Sequence, residues 1–430
     1  FIILFALAAI SAQAQTAYDA FLFSERNYEG TARSVAMGNA FTALGGDLGS
    51  IGINPAGSAV AKYSQFTITP SLTVSSNTTQ GASPYTDGYL PYFQRQFKQT
   101  ATHFAIPNLG MTFNWETGRS SGLKNVTFGF VMNRTNSWNA DVYAAGTNST
   151  TSFMGAMAAE ATWDSMLGSN LNMNDAYDYD PWRYVVGYQS GMISTFGGYD
   201  DQFVGASEVL FDNMGQTEIS LGGPLDQSYG RRVRGAKNDY LINLGFNISD
   251  FLYIGANLGI TSMNYSYDEY FKEEAVNSED FLVEYKDDQG NIISSSYFNR
   301  MKYRSGYSFS GTGCFAKFGV IVNPFKGFRV GAAFQTPTRM NISESWEDEG
   351  QTGFTGRDGK SWSSISPIGE NSWVFTSPLK VSLGAAYTLG KLGTISADYE
   401  FSNYGNRRYR SSAYTDGSTL EYINDDIKAC

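Results

Sequence analysis

DYLINLGFNISDFLYIGANLGIT, residues 239–261, holds two runs of alternating character joined by Ser249-Asp250. In the first run Tyr240, Ile242, Leu244, Phe246 and Ile248 alternate with Asp239, Leu241, Asn243, Gly245 and Asn247. In the second, Leu252, Ile254, Ala256, Leu258 and Ile260 alternate with Tyr253, Gly255, Asn257, Gly259 and Thr261. Successive side chains of a strand point to opposite faces, so each run has one apolar face and one small or polar face. The two-residue join predicts an antiparallel hairpin.

The same period extends along the chain. Residues 65–75 set Phe66, Ile68, Pro70, Leu72 and Val74 against Gln, Thr and Ser. Residues 101–116 set Leu109, Met111, Phe113 and Trp115 against Asn108, Gly110, Thr112, Asn114 and Glu116. The pattern recurs at 124–133, 328–335, 378–388 and 393–402. In 303–323 the apolar side changes from Tyr307 and Phe309 to Ala316, Phe318, Val320 and Val322, which predicts a bulge at Gly311 or Gly313. That makes about nine strands.

The gaps between strands alternate long and short: 76–100, 117–123, 137–237, 249–250, 268–302, 323–327, 341–377 and 389–391. In a meander every second connection shares a rim, so the long loops gather on one side and the short turns on the other. A bacterial outer-membrane barrel has that asymmetry, and a soluble sandwich has no reason for it. The expected fold class is all-β, a transmembrane antiparallel β-barrel whose apolar face meets lipid and whose Asn, Thr, Ser, Gly, Lys and Arg face lines the lumen. Such barrels close with an even strand number, so about nine visible strands imply more sequence beyond Cys430.

Composition agrees. With 28 Tyr, 30 Phe and 46 Gly against 11 Pro and 17% charged residues, the chain favours strands and turns. A net charge of −11 argues against nucleic acid as a partner. The opening FIILFALAAISAQAQ has an apolar core to Ile10 and Ala12-Gln13-Ala14 as a small-x-small cleavage site. It reads as a clipped signal peptide over 1–14 for export through the Sec pathway, with a hatch or plug over 15–62 and the barrel over 63–430. After Ile10 no apolar run approaches the ~18 residues of a membrane helix. Two cysteines form no disulfide framework, and Cys314 reads as a small buried strand residue.

Residues that could carry chemistry are few. GGDLGSIGINPAGSA (45–59) lacks the Lys-Ser/Thr of a phosphate loop. The single histidine, His103, falls on the expected lipid side near a strand end and is a poor general base. One histidine also leaves little for haem ligation, so no cofactor and no metal site is expected. The acidic stretch 268–280 reads first as a solvated loop, with a calcium site as the alternative. In TSFMGAMAAEATWDSMLGS (151–169), Phe153, Met154, Met157 and Met166 fall on one side of a short helix. Either they pack a loop core or they form a soft external ligand groove. Pro107 and Pro70 cannot donate to a ladder; they mark either a tolerated bulge or, with Pro107 the candidate, a local break in the barrel wall.

Between the leader and the first strand lies TARSVAMGNAFTALGGDLGSIGINPAGSAV, from residue 31. Its Ala32-Arg33, Met37-Gly38-Asn39-Ala40, Asp47 and Asn54-Pro55-Ala56-Gly57 resemble the N-terminal signature of the FadL/TodX family of outer-membrane transporters for hydrophobic compounds. The resemblance covers residues 31–60; the remainder matches only in architecture. It implies a hatch folded inside a barrel of about 14 strands, gated around Asn54, Pro55, Ala56 and Gly57. It implies a lumenal ligand site and a lateral gap at a kinked strand. The family's kink is in the third strand, whereas here 124–133 has no proline and Pro107 lies in the second.

The resemblance therefore implies no enzyme. It implies passive transport of long-chain fatty acids or other hydrophobic small molecules by a monomer in the bacterial outer membrane. The partners would be the ligand, outer-membrane lipid and lipopolysaccharide, and the barrel assembly machinery. PorV-like barrels share this signature and act as a shuttle or scaffold for secreted proteins, which is the alternative. A barrel enzyme dependent on His103 is a third reading.

Overall fold

The computed structural model describes residues 17–80, 96–213, 216–286, 291–411 and 417–429; the leader falls outside these residues. Strands take up most of it. The wall strands are β1 (Gln65–Thr79), β2 (Phe97–Glu116) and β3 (Leu123–Ser137), with β4 (Ala140–Asn148) on an upper edge. Short strands β5 (Ile193–Thr195), β6 (Phe203–Gly205), β7 (Glu208–Asn213) and β8 (Gln216–Leu221) follow. The long β9 (Leu225–Ile248) and β10 (Leu252–Ala275) come next, then β11 (Leu282–Lys286), β12 (Ile292–Phe325), β13 (Phe328–Gln335) and β14 (Arg339–Thr355). The series ends with β15 (Ser361–Ile365), β16 (Gly369–Thr376), β17 (Lys380–Thr388), β18 (Thr394–Ser402) and β19 (Arg408–Ser411).

They form one 15-stranded sheet, antiparallel throughout, ordered β1-β2-β3-β9-β10-β12-β13-β17-β18, with β4, β11, β14, β15, β16 and β19 attached above. Among the described residues β1 and β18 each pair on one side only. The 249–250 hairpin is present, and Ser249 and Asp250 both sit at φ 58°, the left-handed conformation that suits the twist of tight hairpin turns. Asp250 is fixed by its neighbours. Lys124, Asn247 and Lys62 all donate to its carboxylate and hold it well below the usual carboxylate range.

The alternation sorts onto two faces. Outward lie Tyr240, Ile242 and Leu244 of β9, Ile254, Leu258 and Ile260 of β10, and Phe318 of β12, all exposed, with like residues on β1, β2, β3, β13, β17 and β18. The apolar outward rows at 240–248, 252–260 and 314–322 end on one hydrogen-bonded rung: Ile260 pairs with Tyr240 and Cys314. On the next outward rung Ser262 pairs with Asn238 and Thr312, and above it the outward face stays mostly polar or charged, through Ser266, Arg234 and Ser308 to Lys272 and Lys302.

Two expectations are corrected by this arrangement. β12 runs in unbroken register against β10 from Arg300 to Val322, with no bulge at Gly311 or Gly313. The apolar side changes because the surroundings change at that rung. Below it the outward face is apolar; above it the outward face is polar and the inward face carries Tyr307 and Phe309. Cys314, expected to be buried, belongs to the outward apolar row and is exposed. Residues 268–275, read as loop, continue β10.

The inward face is covered at its lower end by residues 26–61. Helices α1 (Ala17–Ser24) and α2 (Ala32–Ala36) lead into 3-10 turns at Gly49–Gly52 and Pro55–Val60. Above the sheet, α3 (Phe153–Trp163), α4 (Gly168–Leu171) and α5 (Trp182–Gln189) form a cap with its own cores. Helix α6 (Gly417–Ala429) buries Ile423 and Ile427 in the cluster that also holds Phe23, Trp373 and Tyr409. No helix among the described residues is long and apolar enough to cross a membrane.

Candidate functional site

The wall grips the N-terminal segment by its backbone, which explains the inward Asn and Lys residues. Lys317 Nζ donates to Gly52 O at 2.8 Å, Asn257 Nδ2 to Ile51 O at 2.8 Å, Asn243 Nδ2 to Pro55 O at 3.1 Å and Arg329 to Leu44 O at 2.6 Å. From β18, Asp398 accepts from Thr42 N at 2.7 Å. Buried backbone must be paired, and wall side chains supply what a helix or sheet would otherwise give.

Asn54 is the centre of this contact and is fully buried. Its Nδ2 donates to Thr42 O at 2.6 Å and reaches Val320 O and Ala332 O at 3.2 and 3.3 Å; its Oδ1 caps the following turn by accepting from Ala56 N at 3.0 Å. Pro55, Ala56 and Gly57 are buried in that turn. The wall makes room for it with inward glycines. Gly245, Gly255 and Gly319 are paired across three strands, and a Cβ on any of them would strike Ser58, Pro55–Ala56 or Asn54.

Above this contact lies a polar cavity of about 20 Å³, enough for a single water, between the N-terminal segment and the wall. Ser24 and Arg26 line it from one side; Thr135, Lys237, Asp239, Thr261, Gln335, Thr338, Met340, Ser377 and Lys380 line it from the wall. Arg26 pairs with Asp239 at 3.3 Å and donates to Gln335 Oε1. Lys380 lies 3.6 Å from Glu400. Buried Lys237 has a different partner: its ammonium donates to Phe23 O at 2.6 Å, and among the described residues no carboxylate lies within 4.0 Å of it. Of the three basic side chains that line the cavity, Lys237 is the one held by a backbone carbonyl and not by an ion pair.

Pro107 is buried in β2 beside a register shift, where Thr69 pairs with Asn108 but Ser71 with Ala105. Pairing between β2 and β3 covers Asn108–Glu116 against Asn125–Asn133 and goes no higher. Above Asn108 the β1–β2 hairpin leans instead on β4, through Asn77 Nδ2 to Asp141 O at 3.0 Å and Thr79 to Tyr143 O.

The external residues are packed rather than open. Met154 and Met157 of α3 are buried in two separate cores, and Phe153 and Met166 lie half-buried against them. Phe153 stacks on Phe271 at 5.0 Å. They pack in the interior of the cap. His103 lies on the half-buried face opposite exposed Phe104, a correction to the expected lipid-facing side; the bulge at Pro70 and Pro107 shifts the face count. Among the described residues no cluster of His, Cys, Asp and Glu suits a metal, and the acidic stretch 268–280 contains none.

The basic cavity was not found by reading the sequence. Arg26, the Lys237–Asp239 pair and Lys380 come from three distant parts of the chain, and the only signal was charge at inward positions of otherwise small or uncharged rows. No known family model matches this chain, and no curated protein matches it.

Proposed function

We propose that the sheet is the wall of an outer-membrane β-barrel of the FadL/TodX type, with residues 15–62 as its lumenal hatch, and that it passes long-chain fatty acids or related hydrophobic acids. One observation carries the reading: the exposed apolar rows have a common height and end on a common rung. A soluble protein rarely exposes apolar surface on that scale. Each row is about nine residues long, near the ~9–11 a tilted strand needs to cross hydrocarbon.

The polar inner face, plugged by a buried backbone segment, supports a lumen with a hatch. Lys237, held by a carbonyl and not by a carboxylate, supports a ligand with an acidic head. The cavity as it stands has room for a single water, so a carboxylate would enter by displacing Phe23 O from the ammonium and loosening α1 from the wall. The apolar tail needs no catalysis; burial away from water drives each transfer. The end of β2–β3 pairing at Asn108 beside Pro107 supports a lateral way out.

The test is uptake of radiolabelled oleate by cells lacking their own fatty-acid transporter and expressing this chain. Wild type restores uptake, and Lys237→Met lowers it with unchanged outer-membrane amounts. No uptake by wild type, with secreted proteins co-purifying instead, refutes the transport reading in favour of the scaffold.

A further inference from the structure

We infer that the wall holds a second lateral port, between β13–β14 and β16–β17, through which the cavity communicates with the outer leaflet; this rests on the transport reading above. β13 continues into β14, and β16 into β17, at one register: Gln335 pairs with Lys380 and Arg339 with Thr376. Between those rungs the ladder stops. Residues 336–338 face 377–379, and Pro337 stands directly opposite Pro378 on the neighbouring strand. A proline has no N–H, so each removes a donor from the wall, and sheet interiors rarely tolerate one.

What closes the gap is weaker than a ladder. Ser377 N donates to Thr338 O at 2.9 Å, while Thr338 N finds only the hydroxyl of Ser377, at 3.0 Å. A hydroxyl turns about one bond, whereas a backbone carbonyl cannot leave without moving the strand. The next strand breaks at the same height, since β18 ends at Ser402 and β19 resumes at Arg408. By contrast, β9–β10 and β10–β12 are paired without interruption through this level.

The position gives the gap its use. Its inner side is the cavity wall, where Gln335, Thr338, Ser377 and Lys380 all face the space beside Lys237. Its outer side is the rung where the apolar rows end, because Arg339 pairs with Cys314. An amphiphile with an anionic head and an acyl chain fits both sides. The head stays with the cavity cations while the chain passes between the strands into lipid.

The test is a removable staple. Pro337→Cys with Pro378→Cys, in a Cys314→Ser and Cys430→Ser background, places two thiols on directly opposed residues outside the cavity lining, a spacing a disulfide spans. Oxidised protein is expected to lose uptake of radiolabelled oleate, and reduction is expected to restore it, with binding of oleate to purified protein the same in both states. Equal uptake by oxidised and reduced protein, in cells where wild type transports, overturns the port and leaves the transport reading standing. Absence of uptake by wild type overturns both.

Discussion

Gly319→Ala tests whether the N-terminal segment is held in one place by the glycines of the wall. A Cβ at 319 would lie inside the contact radius of Asn54 Oδ1 and 2.9 Å from Pro55 Cδ. Neither neighbour can give cheaply. Asn54 is tied to Thr42 O and Ala56 N, and Pro55 is covered by buried residues. If the wall and segment both stay, overpacking costs about 1–3 kcal/mol. If the segment lifts, Asn54 gives up its hydrogen bonds at about 1 kcal/mol each and strands buried carbonyls at about 1–3 kcal/mol. The two routes together bracket a loss of about 1–4 kcal/mol in local stability. Gly306→Ala, on the same strand, is the control, because its nearest neighbour would be 3.8 Å away. Hydrogen exchange of residues 42–60 in detergent-solubilised protein reads the difference. The exchange of this segment should quicken by a factor of about 5 to 700 in Gly319→Ala, since 1.4 kcal/mol is tenfold, and stay unchanged in Gly306→Ala. Equal protection in the two variants would refute the idea that glycines at paired rungs seat the segment.

Two further predictions concern other parts of the molecule. Replacing Asn54 and Pro55 together should change oleate uptake while the sheet still assembles, checked by heat-modifiable migration on gels; unchanged uptake would remove the hatch from the transport path. Glu273 lies well above the apolar rows, buried beside α3, and accepts from Phe153 N, Gln227 Nε2 and Ser152 Oγ. Burial raises its pKa from 4.5 to about 7 against those donors, and half-buried Glu208 nearby is raised by desolvation as well. A carboxyl raised on folding adds stability below its unfolded value and loses it as pH rises to the folded one. The cap should therefore be more stable at pH 4.5 than at pH 7 by up to about 3 kcal/mol, with Glu273→Gln flattening the profile. A cap that gains stability over that interval, by proteolysis of residues 150–215, would contradict the assignment.

The lysines of the inner face join the two halves of the proposal. Lys237 and Lys317 are buried, and each spends its ammonium on a carbonyl of the N-terminal segment, Phe23 O and Gly52 O. A buried cation held by one neutral acceptor is poorly compensated. On the transport reading, an anionic head would compete with the carbonyl for the ammonium. Of the two lysines only Lys237 lines the cavity, so an anion there would act first at α1 and not at the 54–57 turn.

The strand faces could be read in 239–261 because a period of two survives at any distance from the rest of the fold. The height of the apolar rows could also be read: Ile260 is followed by Ser262, and Tyr240 is preceded by Asn238. That change was missed on β12, where inward Tyr307 and Phe309 imitate a shifted strand. Periodicity reports which residues share a face and is silent on which side that face meets. The cavity was illegible for another reason. Arg26, Asp239 and Lys380 belong to three elements whose relative height depends on registers accumulated over successive pairings, and a single bulge such as Thr69/Ser71 changes the outcome. The paired prolines mark the limit well. Pro337 and Pro378 could each be seen in the sequence as a strand end. Their meaning lies in the register that sets them opposite one another, and only the folded sheet supplies that.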